Sequence, residues 1–214
     1  MYVPPHFRSD DHAVALELMR DHPFAVLVAA TGAGEVEISH LPILAAADGD
    51  ALELRGHVAR ANPMARLIEG ASAASPVRAT VVFSGPQAYV SPDWYETENQ
   101  VPTWNYLAVH AGGILTPVAD GPAVDGVLAD LSAAHEAGLA PKRPWTMDKM
   151  VPGTVERMRK GITAFTLAVD RLETKAKLSQ NKRAPDLGGV VAALEALGRP
   201  DAAATAAWMR RLAR

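Results

Sequence analysis

The residues best suited to chemistry are concentrated between Ser84 and His110. This stretch interleaves polar side chains with aromatic ones, which are Tyr89, Trp94, Tyr95, Trp104 and Tyr106. A strand that only built a core would carry Val, Ile and Leu at alternate positions. Aromatic rings between hydrogen-bonding groups suit a flat ligand with a polar edge. The alternative is an aromatic core in which each Tyr and Trp tip finds a hydrogen-bond partner.

The segment Arg60-Ala61-Asn62-Pro63 is a candidate anion site. Asn is a favoured N-cap and Pro is favoured at the first helical position, so we expect a helix over residues 63–70. The N–H groups and the positive dipole end of such a helix favour an anion, and the Arg60 guanidinium could grip a phosphate. The alternative is an ordinary cap beside a solvent-facing arginine.

The run KLSQN at residues 177–181 is the third candidate. Lys177 offers a positive charge, while Ser179, Gln180 and Asn181 offer neutral donors and acceptors. Such groups contact a phosphate or the edge of a heterocycle. The alternative is an exposed polar turn.

The net charge of −3 hides an uneven distribution. Residues 142–183 contain eleven Lys and Arg against four Asp and Glu, a net charge of +7, which leaves −10 for the rest of the chain. This basic region predicts contact with a phosphate or a polyanion, including DNA, unless it is an ordinary solvated helix face. The tail superficially resembles a helix-turn-helix around Gly198-Arg199-Pro200, but its second helix is mostly alanine near its start, where base-reading side chains are needed.

Composition excludes several kinds of chemistry. The chain has no Cys, which rules out disulfides, zinc–thiolate sites, iron–sulfur clusters and a cysteine nucleophile. Because no Ser has a recognisable base and no His pairs with carboxylates at metal spacing, we nominate no catalytic residue and no metal site. His40, His57 and His110 lie on expected strands and could bind a metal or haem, although such histidines are more often structural. The absence of a signal-like or membrane-spanning run predicts a cytoplasmic protein without membrane association.

The expected elements position these residues on strands and the turns between them. A helix over 11–20, capped by Ser9 or Asp10, precedes a hairpin of strands 22–30 and 36–44, and Pro42 restricts the second strand to an edge or bulged position. Further strands are expected at 51–59, 78–90, 101–115 and 162–178, and further helices at 121–138, 152–160, 186–197 and 201–213. Six mostly hairpin-connected strands predict a mainly β, α+β protein, a small antiparallel barrel with helical decorations.

Six motifs together resemble the PaiB-type FMN-binding negative transcriptional regulator family: YVPPHF (2–7), HLPIL (40–44), GHVARANP (56–63), FSGPQAYVSPDWY (83–95), VPTWNYLAVHAGG (101–113) and KLSQN (177–181). The resemblance extends to about Asp186. It implies an FMN-binding split β-barrel related to the pyridoxamine-phosphate-oxidase-like flavoproteins. It also implies a homodimer with flavin at the subunit interface. We therefore expect a split-barrel domain at 1–185 and a helical appendage at 186–214, packed on the barrel or on the partner subunit.

The resemblance also nominates cofactor-binding residues. It implies that Arg60 and Lys177 neutralise the FMN phosphate, that Thr103 donates to it, and that a ring from Trp104 or Tyr106 covers the isoalloxazine. The complete set is His57, Val58, Arg60, Asn62, Thr103, Trp104, Asn105, Tyr106, Lys177, Gln180 and Asn181. Besides a flavin-binding regulator with a DNA contact through residues 142–183, two alternatives stay open: an FMN-dependent oxidoreductase of unknown substrate and a haem-binding split-barrel protein.

Overall fold

The computed structural model describes residues 1–49 and 51–212, which contain seven β-strands and six α-helices. The strands are β1 (Phe24–Ala30), β2 (Val36–Pro42), β3 (Leu44–Asp48), β4 (Ala51–Ala59), β5 (Val77–Val90), β6 (Thr103–Val118) and β7 (Ile162–Lys177). The helices are α1 (His12–Asp21), α2 (Pro63–Gly70), α3 (Gly121–Ala137), α4 (Thr154–Arg159), α5 (Ala184–Ala196) and α6 (Pro200–Leu212). Short 3-10 helices lie at Pro5–Phe7, Pro92–Trp94 and Met147–Lys149. The α+β class is confirmed. Asp50, at the end of an expected turn, and Ala213 and Arg214, in the tail, lie outside the described residues.

The strands form one sheet in the order β2-β1-β5-β6-β7-β4-β3. β1 pairs antiparallel with β2 and β5, and β4 pairs antiparallel with β3 and β7. The expected strand 36–44 is two strands, because the chain breaks at Ile43, whose N–H donates to the Pro23 carbonyl at 2.8 Å. β2 lies at the end of the sheet, as its terminal Pro42 predicted, since proline lacks the N–H that an interior strand needs.

The chain divides into two compact units. The first unit contains Met1–Asp21, Ser84–Val109 and Glu173–Arg214, and the second contains His22–Phe83 and His110–Leu172. Strands β5, β6 and β7 each contribute residues to both units. The expected boundary at residue 185 stays a prediction.

Close backbone contacts organise each unit. In the first, a Cβ at Gly85 would lie 2.4 Å from Leu18 Cδ1, so glycine lets α1 pack directly on β5. In the second, a Cβ at Gly113 would lie 2.0 Å from the Ala168 carbonyl oxygen, so only glycine fits on β6 at this position. Alternate residues of β1 are buried, as strand geometry requires of a sheet with one face on a core.

Two helix starts test the expected caps. The Asn62 Oδ1 accepts from the Met64 N–H at 2.9 Å and α2 spans Pro63–Gly70, which confirms that prediction. The expected cap of α1 at Ser9 or Asp10 is wrong, because the Asp11 carboxylate accepts from the Ala13 N–H at 2.8 Å and starts the helix one residue later. None of the helices in the described residues has the length and apolar character needed to cross a membrane.

Candidate functional site

The nominated residues are divided between the two units. The second unit contains His57, Val58, Arg60 and Asn62. The first unit contains Thr103, Trp104, Asn105, Tyr106, Lys177, Gln180 and Asn181. The two groups are therefore described separately.

The first unit contains a polar cavity of about 230 Å³, here called the basic pocket. It lies where β6 begins and β7 ends, because Thr103 opens β6 and Lys177 closes β7. Its lining residues are His6, Phe7, Tyr95, Val101, Thr103, Asn105, Lys177, Ser179, Asn181 and Lys182. None of the described residues that line it is an Asp or a Glu. Four nominated residues, Thr103, Asn105, Lys177 and Asn181, thus meet in one cavity.

Lys177 faces neutral acceptors in this pocket. Its ammonium donates to the Thr103 hydroxyl and, at 2.8 Å, to the Trp104 carbonyl oxygen. Within residues 1–49 and 51–212, Lys177 forms no ion pair. Burial lowers the pKa of Lys177, and the nearby charges of Lys175 and Lys182 lower it further. A charge that is costly to hold in the free protein is stabilised when an anion enters.

Lys182 supplies the second charge of the basic pocket. Its ammonium donates to the Gln100 amide oxygen at 2.6 Å and lies 5.1 Å from the centre of the Tyr95 ring. The Tyr95 hydroxyl is buried and has no hydrogen-bond partner among the described residues. An unpaired buried hydroxyl costs free energy that an incoming acceptor would recover. Two lysines with the hydroxyls of Thr103 and Tyr95 therefore fit a phosphate group.

The turn after β7 has a strained backbone and contributes Ser179 to the lining of the basic pocket. Ser179 has a φ of +65°, which a non-glycine residue adopts only when its surroundings hold it there. The Asn105 amide, 1 % exposed, donates to the Ser179 hydroxyl at 3.0 Å and to the Met209 sulfur at 3.4 Å. These contacts tie α6 and β6 to the segment that carries Lys177 and Lys182.

Three nominated residues of the first unit lie outside the basic pocket. The Gln180 side chain folds back on its own turn, where its oxygen accepts from the Leu178 N–H at 2.7 Å and its amide donates to the Ala176 carbonyl at 2.5 Å. The Tyr106 ring lies 5.1 Å from the Lys175 ammonium. Trp104 alternates with Thr103 and Asn105 along β6 and lines another cavity, of about 250 Å³, with Tyr89 and Trp94.

Arg60 lies in a cavity of about 390 Å³ in the second unit, here called the Arg60 cavity. Its Nε and Nη2 donate to the carbonyl oxygens of Lys160 and Ile162 at 2.8 and 3.1 Å, and its Nη1 lies 3.3 Å from Glu69 Oε1. Arg159 also lines this cavity and pairs with Asp125 at 2.7 Å. Both arginines therefore already have carboxylate partners, while Lys160, the third cation that lines the cavity, is exposed to solvent.

The other nominated residues of the second unit have structural contacts. Val58 is buried in the core. Asn62 caps α2, and its amide also donates to the Ser39 hydroxyl at 3.0 Å. The His57 Nδ1 is buried without a hydrogen-bond partner in residues 1–49 and 51–212, and burial lowers the pKa of this imidazole.

His57 also lines an apolar cavity with Trp145, Met147 and Met150. That cavity has a volume of about 210 Å³, which is below the size of a typical ligand pocket, about 300–1,000 Å³. Across the described residues there is no cluster of His, Asp and Glu that could hold a metal ion.

The basic region 142–183 is not one continuous surface of unpaired charge. Its residues divide between the two units at Leu172 and Glu173. Lys142, Arg159 and Arg183 pair with Glu136, Asp125 and Asp186, respectively. The DNA contact stays a prediction.

The nominated set lacks six of the residues that line the basic pocket, which are His6, Phe7, Tyr95, Val101, Ser179 and Lys182. Tyr95 lay inside the aromatic stretch, and Lys182 directly follows KLSQN, so both had a local signal. His6 comes from the first 3-10 helix, and only the motif YVPPHF pointed to that segment. No local pattern connects a residue at the start of the chain with a strand end near residue 177.

Comparison with known proteins gives one family and one fold. Residues 1–171 match the family described as "Putative FMN-binding domain". The chain is 31 % identical over 203 residues to Protease synthase and sporulation protein PAI 2 of Bacillus subtilis (strain 168), which covers 94 % of this chain and 93 % of the relative.

Two solved structures resemble the fold at low identity. The FAD and Heme binding protein from Mycobacterium smegmatis superposes with a TM-score of 0.55 at 20 % identity, covering 79 % of this chain and 73 % of that protein. The Flavocytochrome Anf3 from Azotobacter vinelandii gives a TM-score of 0.57 at 12 % identity, covering 82 % of this chain and 72 % of that protein. These similarities identify the fold as the split β-barrel expected from the motifs.

Proposed function

Because this chain belongs to the PaiB-type FMN-binding domain family, FMN is its cofactor, and we propose that the basic pocket holds the FMN phosphate. The observation that carries this proposal is the pair Lys177 and Lys182, whose ammonium groups bond only neutral acceptors among the described residues. Because no carboxylate neutralises these two ammonium groups, both are available to form charge-assisted bonds with a phosphate. In the Arg60 cavity, Glu69 and Asp125 neutralise the two arginines, and the remaining cation, Lys160, is exposed to solvent.

Each lining group has a distinct part in binding. Lys177 and Lys182 neutralise the phosphate, and the Thr103 and Tyr95 hydroxyls donate to its oxygens. The bonded pair Asn105 and Ser179 keeps the turn after β7 in place. When bound, FMN supplies reversible electron transfer, and the protein controls its orientation and access.

We also propose that a second copy of the chain covers the flavin. The first unit exposes several large apolar side chains, which are Tyr2, Tyr89, Val101, Trp104 and Leu197. Val101 lines the basic pocket, while Tyr89, Trp104 and Leu197 line one neighbouring stretch of cavity wall, and such exposed apolar groups support burial against a partner. Sedimentation should therefore show a dimer, and Trp104→Glu should shift it towards monomer.

The proposed role is regulatory. The name of the Bacillus subtilis relative refers to protease synthesis and sporulation, which supports a role in regulating cellular processes. A regulatory flavoprotein should not consume NADH or NADPH faster than free FMN does. Sustained consumption by the FMN complex would instead establish an FMN-dependent oxidoreductase. A regulator of this kind acts in the cytoplasm, which stays a prediction.

Flavin fluorescence during titration with FMN tests the site. Native protein should quench FMN saturably, and Lys177→Ala should weaken binding about tenfold to about a hundredfold, because a hydrogen bond to a charged group contributes about 1.5–3 kcal/mol. Arg60→Ala is the matched control and should change the affinity less than about twofold. An effect of Arg60→Ala larger than that of Lys177→Ala would move the phosphate to the second unit.

A further inference from the structure

Asp186 clamps the loop between the second 3-10 helix and β6. This residue lies in the first turn of α5 and is 2 % exposed. Its Oδ1 accepts from the N–H groups of Glu96 and Thr97 at 2.8 and 2.9 Å, and its Oδ2 accepts from the Thr97 hydroxyl at 2.6 Å. The Thr97 hydroxyl and the two N–H groups lower the pKa of Asp186, so the carboxylate is ionised at neutral pH.

Arg183 completes the clamp. Its Nη2 donates to the Thr97 hydroxyl oxygen at 2.6 Å, and its Nε lies 3.5 Å from the Asp186 Oδ2. One buried carboxylate therefore satisfies three donors of the loop, while the neighbouring guanidinium bonds the same threonine. An amide presents a single acceptor oxygen, so Asp186→Asn loses the negative charge and either the two N–H bonds at Oδ1 or the acceptor for Thr97 and Arg183 at Oδ2.

The clamped loop is one wall of the basic pocket. Tyr95 and Val101, at its two ends, line the pocket. Lys182 bonds Gln100 of the same loop and lies against the Tyr95 ring. The segment 182–186 thus contacts the loop through both Lys182 and Asp186. If Asp186 holds the loop, Lys182 can exchange its bond with Gln100 for one with a phosphate, and Tyr95 stays in place.

We infer that Asp186 is a positioning residue that holds the loop 95–101 in its phosphate-binding arrangement and thereby sets the preference for phosphorylated over unphosphorylated flavin. This inference rests on the proposed function, since it concerns the same pocket. Asp186 does not line the pocket and acts through Tyr95 and the geometry around Lys182.

A purely electrostatic role and a positioning role of Asp186 predict opposite changes in FMN affinity for Asp186→Asn. Removing a negative charge near an anion site strengthens anion binding if charge alone matters. Loosening the loop weakens binding, because the apparent dissociation constant rises in inverse proportion to the population of the binding arrangement. A loop that holds this arrangement about a tenth of the time would weaken FMN binding about tenfold.

The experiment compares FMN with riboflavin, which lacks the phosphate. Asp186→Asn should weaken FMN binding about tenfold and riboflavin binding less than about twofold. Glu98→Gln is the matched control, because it removes an exposed negative charge from the same loop without touching the clamp. It should leave the ratio of the two affinities unchanged. Hydrogen exchange should show that the Glu96 and Thr97 amides lose protection only in Asp186→Asn.

A second variant covers the case in which Asp186→Asn does not fold. Thr97→Val keeps the side-chain shape and removes the hydroxyl that bonds Asp186 and Arg183. It should weaken FMN binding about threefold with riboflavin binding retained. Unchanged or tighter FMN binding in either folded variant overturns the inference. A native protein that binds FMN no better than riboflavin overturns the proposed phosphate site itself.

Discussion

The basic pocket is lined by two lysines and the Arg60 cavity by two arginines and Lys160, and the two cavities differ in what the lysine pair and the arginine pair contact. In the basic pocket, Lys177 and Lys182 donate to hydroxyl, carbonyl and amide oxygens. In the Arg60 cavity, Arg60 and Arg159 bond carboxylates of Glu69 and Asp125. The number of basic residues therefore does not identify an anion site, and the partners of each cation do.

The difference has a direct energetic meaning. A phosphate that approaches an arginine already paired with a carboxylate must displace that carboxylate or accept its repulsion. A phosphate that approaches a lysine bonded to neutral acceptors replaces weak partners with a strong one. The lowered pKa of Lys177 reflects the same imbalance, because nearby positive charges and burial disfavour its charged form.

The largest expected effect comes from removing both pocket lysines. Lys177→Ala/Lys182→Ala should weaken FMN binding more than about a hundredfold, because each charge-assisted bond contributes about 1.5–3 kcal/mol. Riboflavin binding should change far less. The control is Arg60→Ala/Arg159→Ala, titrated with FMN by fluorescence quenching. Equal losses in the two double variants would remove the distinction between the regions.

A smaller effect should appear in the pH dependence. Because the pKa of Lys177 is lowered in the free protein, this lysine begins to lose its proton below its usual range. A bound phosphate favours the charged form and raises that pKa, so FMN affinity should fall as the pH rises through the lowered pKa of the free protein. In Lys177→Arg the slope should flatten, since a guanidinium stays charged. If the FMN affinity of Lys177→Arg still depends on pH as in the native protein, the titrating group is not Lys177.

The smallest effect on the cofactor is expected at Asn62. Because its side chain caps α2 and bonds Ser39, Asn62→Ala should lower the free energy of unfolding by about 1 kcal/mol. FMN affinity should stay within about twofold of the native value. Chemical denaturation and FMN titration of the same preparation measure both quantities. A loss of affinity without a loss of stability would return Asn62 to the cofactor site.

Local sequence signals predicted the helices and strands well. The partners of the candidate site residues depend on long-range contacts. Asn62 and Pro63 carry a complete helix start within two residues, so α2 was predictable from sequence. Pro42 placed β2 at an edge for an equally local reason. The partners of Arg60 were not predictable from sequence. Glu69 lies in the last turn of α2, and the Lys160 carbonyl lies 100 positions further along the chain.

The aromatic stretch shows the same limit. Trp104 and Thr103 are neighbours in sequence and were nominated together, yet strand alternation turns their side chains to different cavities. The pairing of Thr103 with Lys177 joins residues 74 positions apart and needs the register of the folded strands. The residue types predict a phosphate site in each of the two units. Only the contacts in the folded protein distinguish the basic pocket from the Arg60 cavity.

The most direct test of the central claim is a crystal structure of the native protein with FMN bound. The account predicts phosphate oxygens within hydrogen-bond distance of the Lys177 ammonium and the Thr103 hydroxyl, with Arg60 still paired to Glu69. A phosphate bound to Arg60, with Lys177 still bonded only to Thr103 and the Trp104 carbonyl, would contradict it.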